Sequence, residues 1–402
     1  MKIAIIHPDF NTKGGAENVI YWLCEELSKK NDLEIVLFSV NFADMKEKFK
    51  NIKGLQVKEI YIPKVLRNNQ LGRLIFATFY LKKYLRNYNI INPHNYPASL
   101  WVGIANLLSG KKLPKIVWSC NEPTRFLYRK ITNKHTPENL QVLHSELDEN
   151  LNIKLKSKIK FIIKSIYKPI LRYIDKKAIK TFSKTLTLSN AVAEQIKKIY
   201  RIKNVFTCYM GVKDIGQQDI VGWNKGYFIT VSRLEGCKNI QNVIKAFALI
   251  KELGRLKDMK YFIIGNGPME SYLKNMIIEN NLSDSIIMLG YISREELVNH
   301  YKNCLCILYL PFDEPFGLPY LEAAVFSKPT IASNHGGPLE LVVDGKTGLL
   351  ADPSNIREIS EKIEKVFQNK IMAEEMGNNA NKYIKDNFTW GKYIDRYLGY
   401  MQ

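Results

Sequence analysis

Cysteine is scarce in this chain and never falls in a Cys-x-x-Cys pair. The six cysteines (Cys24, Cys120, Cys208, Cys237, Cys304 and Cys306) are scattered over 402 residues with no Cys-x-x-Cys spacing. That pattern argues against a disulfide framework or a zinc ribbon and for reduced core thiols. No apolar run approaches the roughly 18–20 residues a membrane span needs. The opening MKIAIIHPDF holds an apolar run too short for a signal peptide. A cytoplasmic protein is therefore expected. Acidic residues are also in short supply: 39 Asp and Glu stand against 59 Lys and Arg, for a net charge of +20. Such a balance points to an anionic partner, whether nucleic acid, anionic lipid or a phosphorylated substrate. Nucleic acid ranks last of these, because no zinc module, helix-turn-helix or aromatic RNA motif accompanies the charge. No short-period repeat and no low-complexity tract is present.

A chain of 402 residues that is 46% hydrophobic can build two or three ordinary domains. Strand-like runs at residues 2–7, 33–40, 89–91, 115–120 and 185–188 alternate with helical stretches, the first helix running from Ala16 to about Lys29. The same alternation restarts near Gly226. YFITVSRL leads to a helix over 239–253, KYFIIG to the turn GNGP, SIIMLG to a helix over 294–302, and CLCILYL to a loop at Glu314. KPTIAS then leads to GGPLE, and GLLADP to terminal helices. Strand–helix alternation predicts two doubly wound parallel sheets, with a boundary near residues 211–225.

The densest motif is EPFGLPYLE, Glu314 to Glu322, read as loop and helix start, with a small-residue helix over 322–326 following. A loop feeding a helix N-terminus offers N–H groups to an anion, and the helix dipole adds to the attraction. A glycosidase pair is disfavoured. Carboxylates eight apart on one helix would be about 12 Å apart and roughly 80° out of phase, whereas glycosidases need them facing across a sugar. Glu314 is therefore expected on the loop and Glu322 inside the helix, touching different parts of one long ligand. The plainer alternative is a dipole-favouring Glu beside an unrelated surface Glu.

Four further groups stand out. Gly14 and Gly15 open the first helix, where paired glycines permit close backbone approach. Arg233 and Lys238 in VSRLEGCKN lie five apart after a strand, which suits a diphosphate, Arg as a fork and Lys as a point charge. Gly265-Asn266-Gly267-Pro268 and Gly336-Gly337-Pro338-Leu339-Glu340 sit at strand ends, where open α/β sheets bind ligands. WSCNEPTRFLY carries Asn121, Glu122 and Arg125 past a strand end. Each group taken alone is also compatible with ordinary turn or surface chemistry. His7, His94 and His335 read as structural, and no metal-ligand set is read.

Two segments depart from the alternation. Residues 129–150 are polar without periodicity and read as a flexible excursion over a cleft. Residues 151–180 hold ten Lys or Arg against one Asp, interleaved with Ile, Leu, Phe and Tyr. A basic amphipathic helix there would suit an anionic membrane surface. The competing reading is a helix packed on its own domain with a solvated basic face. Pro169 would interrupt a single long helix.

Taken in order, R-x4-K, G-x-G, E-P-F-G-L-x3-E, G-G-P-x-E and D-G-x-T-G resemble the retaining GT-B glycosyltransferases of glycosyltransferase family 4. GGAE near the start and TLTLSNAVAEQIKKIY extend the likeness into the first half. GGPLE and the Asn121 region look most like mannosyltransferases of glycan assembly. The resemblance implies two Rossmann-like doubly wound domains facing a cleft: 1–212 for the acceptor, 213–384 for the donor, with 385–402 crossing back. It implies a metal-independent, retaining hexosyltransferase with no cofactor. The donor would be a nucleotide-sugar, GDP-mannose favoured, and the acceptor a glycan or lipid-linked saccharide, to which the basic run would bring the protein at the inner face of the membrane.

Carried over residue by residue, the resemblance has Arg233 and Lys238 neutralise the diphosphate and Glu314 face the donor sugar. Glu322 would accept from ribose hydroxyls. N–H groups of Phe316, Gly317 and Leu318 would face sugar and phosphate. Gly14 and Gly15 would let the first domain close, Gly265 and Gly267 would line the donor pocket, and Gly290 and Tyr291 would lie near the base. Relatives carry a His where this chain has Asn121 or Glu122; Asn121 can still hydrogen-bond a sugar hydroxyl. The alternatives are a sugar-nucleotide epimerase and a non-enzymatic sugar-nucleotide or glycan-binding protein.

Overall fold

A computed structural model describes residues 1–11, 15–137, 157–213 and 226–402. The chain forms two compact units. One holds Met1–Thr132, the described part of Ser145–Cys208, and Ile394–Gln402; the other holds the described part of Asn133–His144 with Tyr209–Tyr393.

The first unit is built on a seven-stranded parallel sheet. In chain order its strands are β1 (Lys2–Ile6), β2 (Glu34–Ser39), β3 (Leu55–Glu59), β4 (Ile90–Pro93), β5 (Lys115–Cys120), β6 (Lys184–Thr187) and β7 (Val205–Thr207). The spatial order is β3-β2-β1-β4-β5-β6-β7. The central strands β1, β2 and β4 are buried almost throughout, as continuous apolar runs covered by helices on both faces require. The edge strand β3 is half-buried, LQVKE, and the other edge strand β7 has three residues.

The second unit has a six-stranded parallel sheet: β8 (Tyr227–Val231), β9 (Lys260–Ile264), β10 (Ile286–Gly290), β11 (Cys306–Tyr309), β12 (Thr330–Ser333) and β13 (Gly348–Ala351). Its order is β10-β9-β8-β11-β12-β13. Both sheets reverse direction of strand addition beside their first strand, the switch-point topology of doubly wound folds. The six-stranded sheet is sandwiched by helices whose apolar faces fill its core, among them Ile240–Glu252 with Val243, Ile244 and Phe247, and Ile356–Gln368 with Ile359 and Ile363.

The helix over 157–179 keeps Pro169 inside it. Its last turns pack on the first unit: Arg172 Nε donates to the Leu127 carbonyl at 2.7 Å, and the backbone of Gly103 lies so close to Ala178 that a Cβ there would sit 2.5 Å from the alanine methyl. Asp175 is buried and accepts 2.8 Å bonds from both Tyr128 Oη and Tyr200 Oη. Burial pushes its carboxyl up to about 6, against those two hydrogen bonds. Arg172, Lys176, Lys177 and Lys180 remain exposed, as do Tyr167, Ile170 and Tyr173. The start of the basic run, residues 151–156, lies outside the described residues, as do most of the 211–225 boundary region and the 138–150 part of the polar segment. No described helix is long and apolar enough to cross a membrane.

Candidate active site

The C-terminal ends of β8, β9, β10 and β11 converge in the second unit, and three loops there are joined main chain to main chain. Ser232 N–H donates to Ile264 O at 3.1 Å, Leu234 N–H to Asn266 O at 3.0 Å, Met269 N–H to Leu234 O at 3.0 Å, and Gly265 N–H to Gly290 O at 2.8 Å. Glycine is obligatory at the junction. A Cβ on Gly265, at φ +126°, would meet Ser232 O at 2.0 Å, and one on Gly267 would meet Leu234 O at 2.4 Å. These two glycines thus make room for the protein's own Arg233 loop. Gly290 closes β10 at φ +69°, and Tyr291 follows it, 79% exposed.

Arg233 lies on the loop after β8. Its side chain is 63% exposed and its Nε pairs with Glu235 at 3.1 Å. Lys238 ends a single 3-10 turn, Gly236–Lys238, and is far more enclosed. The turn is held by Asn239, a fully buried residue in left-handed conformation whose Nδ2 donates to the carbonyls of Leu310 and Pro353. Phe312 N–H donates to Cys237 O at 2.8 Å, tying this turn to the loop after β11.

That loop carries Glu314. Lys238 Nζ donates to Glu314 Oε2 at 2.9 Å and to Tyr309 Oη at 3.0 Å; Tyr309 Oη donates to the same carboxylate oxygen at 2.8 Å. Burial works to lower the proton affinity of Lys238, but the Glu314 carboxylate and Tyr309 outweigh it and hold the ammonium well above its usual range. Burial also raises the Tyr309 phenol, so it stays a neutral donor.

The helix expected over 322–326 starts four residues earlier, at Leu318, and runs to Val325. Gly317 at φ +104° supplies the left-handed cap and Pro319 sits in the first turn, where its missing N–H does no harm. Phe316, Gly317 and Leu318 therefore stand at a helix N-terminus, the geometry that favours an anion. Glu322 lies inside the helix and Glu314 on the loop. Glu322 Oε2 accepts from Tyr301 Oη at 2.8 Å. Burial pushes the Glu322 carboxyl up, opposed by that hydrogen bond and by Arg294. The Gly336–Gly337 turn abuts the same loop: Gly337 N–H donates to Glu314 O at 3.0 Å, and a Cβ on Gly337 would meet Pro315 O at 2.5 Å.

The remaining sequence-predicted residues fall in the first unit or outside the description. Gly15 begins the Gly15–Leu27 helix, and Gly14 lies outside the described residues. Asn121 N–H donates to Asn95 Oδ1, and Glu122 is held by Arg125 Nε at 2.6 Å, so this carboxylate already carries a partner. Sequence reasoning missed Tyr309 and Tyr301. The first sits at the carboxyl end of β11, the position where such sheets present ligand-facing groups, and that signal was readable; the second has none. It also missed His135. The described part of the polar segment is docked, not free: His135 N–H and Thr136 N–H donate to Asp313 Oδ2 at 2.9 and 2.8 Å.

Two family models cover the chain nearly end to end: "Glycosyltransferase Family 4" matches residues 13–214 and "Glycosyl transferases group 1" matches residues 217–383. The chain is 31% identical over 182 residues to the alpha-1,3/1,6-mannosyltransferase ALG2 of Dictyostelium discoideum, 42% of this chain and 43% of that protein. It is 30% identical over 224 residues to an uncharacterized glycosyltransferase of Methanocaldococcus jannaschii, MJ1178, 56% of this chain and 60% of the relative. The matched stretches thus span less than two thirds of either relative. Among solved structures, Anabaena Alr3699/HepE in complex with UDP-glucose superposes with a TM-score of 0.72 at 18% identity over 100% of both chains. Sucrose-phosphate synthase of Thermosynechococcus elongatus gives 0.71 at 16%, over 99% of this chain and 98% of that one. Both likenesses concern the fold.

Proposed function

This chain belongs to glycosyltransferase family 4, on a GT-B fold, and from that premise we propose that it is a retaining hexosyltransferase using a nucleotide-sugar donor, with GDP-mannose favoured. The observation that carries the reading is the Lys238–Tyr309–Glu314 cluster beside the Leu318–Val325 helix N-terminus. It supports a site with a half-buried ammonium, a sugar-facing carboxylate and a dipole aimed at one anionic ligand.

The chemistry follows from charge. Breaking the glycosyl–phosphate bond leaves an electron pair on the departing diphosphate oxygen. Lys238, Arg233 and the helix N-terminus stabilise that developing charge from fixed positions, with little reorganisation. The acceptor hydroxyl attacks the anomeric carbon on the face the diphosphate leaves, and its proton passes to the leaving phosphate oxygen. Retention then needs no protein nucleophile. In this reading Glu322, poised by Tyr301, accepts from ribose hydroxyls, and the exposed Tyr291 lies near the base.

Mannose is favoured by the likeness to mannosyltransferases named ALG2; the UDP-glucose complex among the fold neighbours makes UDP-hexoses the competing donors. The acceptor in this reading is a glycan or lipid-linked saccharide in glycan assembly. Peripheral binding to an anionic leaflet is supported by the exposed Arg172, Lys176, Lys177 and Lys180 with Tyr167, Ile170 and Tyr173, and by Leu71, Ile75 and Phe79, exposed at four-residue spacing on the Gln70–Tyr84 helix. Replacing Lys176, Lys177 and Lys180 by Glu is expected to release the protein from acidic liposomes, and unchanged binding would sink the membrane reading.

The deciding experiment is nucleotide release across a donor panel, GDP-mannose and UDP-hexoses included, with and without lipid-linked glycan acceptors. Acceptor-dependent release from one donor supports transfer. A donor that raises thermal stability without any release would replace this reading with a binding protein.

A further inference from the structure

We propose that His135, Asp313 and His335 form a binding site for a divalent transition-metal ion of the zinc class. The three side chains each offer one ligand atom, and these atoms lie within 4.8 Å of one another. Zn–N and Zn–O bonds of about 2.0–2.2 Å place tetrahedral ligands roughly 3.4 Å apart. The atoms here bracket that separation, with His135 Nδ1 2.8 Å from Asp313 Oδ1. Two imidazoles and one carboxylate are the donor set of an open three-ligand zinc site, in which a fourth position is left for water or another ligand.

The cluster is oriented as ligands are. The Asp313 side chain is only 4% exposed. Its Oδ2 is held by Thr136 N–H at 2.8 Å, Thr136 Oγ1 at 2.7 Å and His135 N–H at 2.9 Å, which turns Oδ1 toward the His135 ring. His335 Nε2 accepts a long 3.4 Å bond from Asp313 N–H, which a metal ion at that nitrogen would displace. The other ring nitrogen, Nδ1, faces Asn334 Oδ1 at 3.4 Å. An imidazole whose second nitrogen is bonded to an outer oxygen is the arrangement that fixes a metal-binding tautomer. The two rings lie with centroids 4.1 Å apart and their planes tilted by 34°. A metal at His135 Nδ1 takes the place of the hydrogen bond to Asp313 Oδ1, and the neutral ring then carries its proton on Nε2.

The site joins residues far apart in sequence, for Asp313 and His335 belong to loops after β11 and β12, whereas His135 lies on the stretch that begins at Asn133. A metal ion would fasten that stretch to the residue directly preceding Glu314. The inference is independent of the transferase reading, since it needs neither donor nor turnover.

Metal-stripped full-length protein titrated with Co2+ is expected to take up one equivalent with visible absorption of tetrahedral type, and Zn2+ to displace it. His135→Gln and His335→Gln should each weaken binding by more than the about 10–100-fold that loss of an outer partner costs. Melting of the metal-free variants reports folding separately. Should either glutamine variant melt early, His335→Ala with added imidazole is the second arm, and imidazole is expected to restore the Co2+ spectrum. Binding no tighter than millimolar, or binding that both histidine variants leave unchanged, would overturn the proposal and leave the cluster a hydrogen-bonded clasp.

Discussion

Lys238 and Glu314, 76 positions apart, share a 2.9 Å ion pair that Tyr309 completes from between them, and neither side chain is more than 21% exposed. Each charge is therefore compensated by the other, and removal of one strands its partner. Lys238→Met should cost about 3 kcal/mol of stability and Glu314→Gln a similar amount. The double variant should recover most of that loss, which equilibrium unfolding of the three proteins would measure. Donor turnover should fall about 10²–10³-fold in each single variant and should not recover in the double one.

The Gly265 junction separates packing from conformation. Gly265 and Gly254 both have positive φ, but a Cβ on Gly254 would meet nothing within 4 Å. Gly254→Ala should cost about 1–2 kcal/mol, the strain of the left-handed backbone alone. Gly265→Ala adds the clash with Ser232 O and should cost at least about 2 kcal/mol more, the penalty of overpacking. Equal unfolding free energies for the two would contradict the tight loop–loop contact.

Tyr301→Phe removes the hydrogen bond that favours ionised Glu322, while the burial that raises its pKa remains. The carboxyl should then protonate at a higher pH than in the wild type. Nucleotide affinity should accordingly begin to fall at higher pH as the solution is acidified, seen in calorimetric titrations between pH 5 and 8. Identical pH profiles would remove Glu322 from nucleotide binding.

Asp175 gives a pH dependence of opposite sense to that of a salt-bridged carboxylate. Its folded pKa of about 6 lies above the ordinary value of 3.8. Between those values the folded state binds more protons than the unfolded one, so stability falls as pH rises through the window. The shift corresponds to about 3 kcal/mol. Asp175→Asn should flatten stability between about pH 4 and 6, as measured by denaturant midpoints, and an unchanged slope would assign the window to other groups.

His94 acts at the acid side of neutrality. Burial, with His7 nearby, lowers its pKa from 6.5 to about 3. The ring stays neutral in the folded state and charges on unfolding, so its contribution is present above pH 6.5 and declines as pH falls toward 3. His94→Asn should weaken that decline, visible as a smaller drop in Tm between pH 7 and 5.

Much of the architecture was legible because buried parallel strands are written as apolar runs closed by glycine or proline: KYFIIG and CLCILYL became β9 and β11, and both carboxylates of EPFGLPYLE lie on the elements expected. The helix start was misplaced because Leu318 and Pro319 look like loop until the left-handed Gly317 is known to cap them. The edge strands β3 and β7 escaped notice since LQVKE and VFT carry little periodicity. His135 was illegible for another reason: its partner Asp313 is 178 residues away, and a polar segment gives no sign of which surface it will dock on.

The three-loop junction has an implication for how such a site can change. Its frame is assembled from N–H and carbonyl groups of residues 232–234, 264–269 and 290, with glycine where two backbones touch. The buried side chains of Leu234 and Met269 anchor that scaffold to the core beneath it. Arg233 and Tyr291 are mounted on it like exchangeable tips, both exposed, so substituting either should leave the mount intact. Under the proposed function, where Tyr291 faces the base, that position and not the glycines between the loops is the place to retune the choice of nucleotide, separately from foldability.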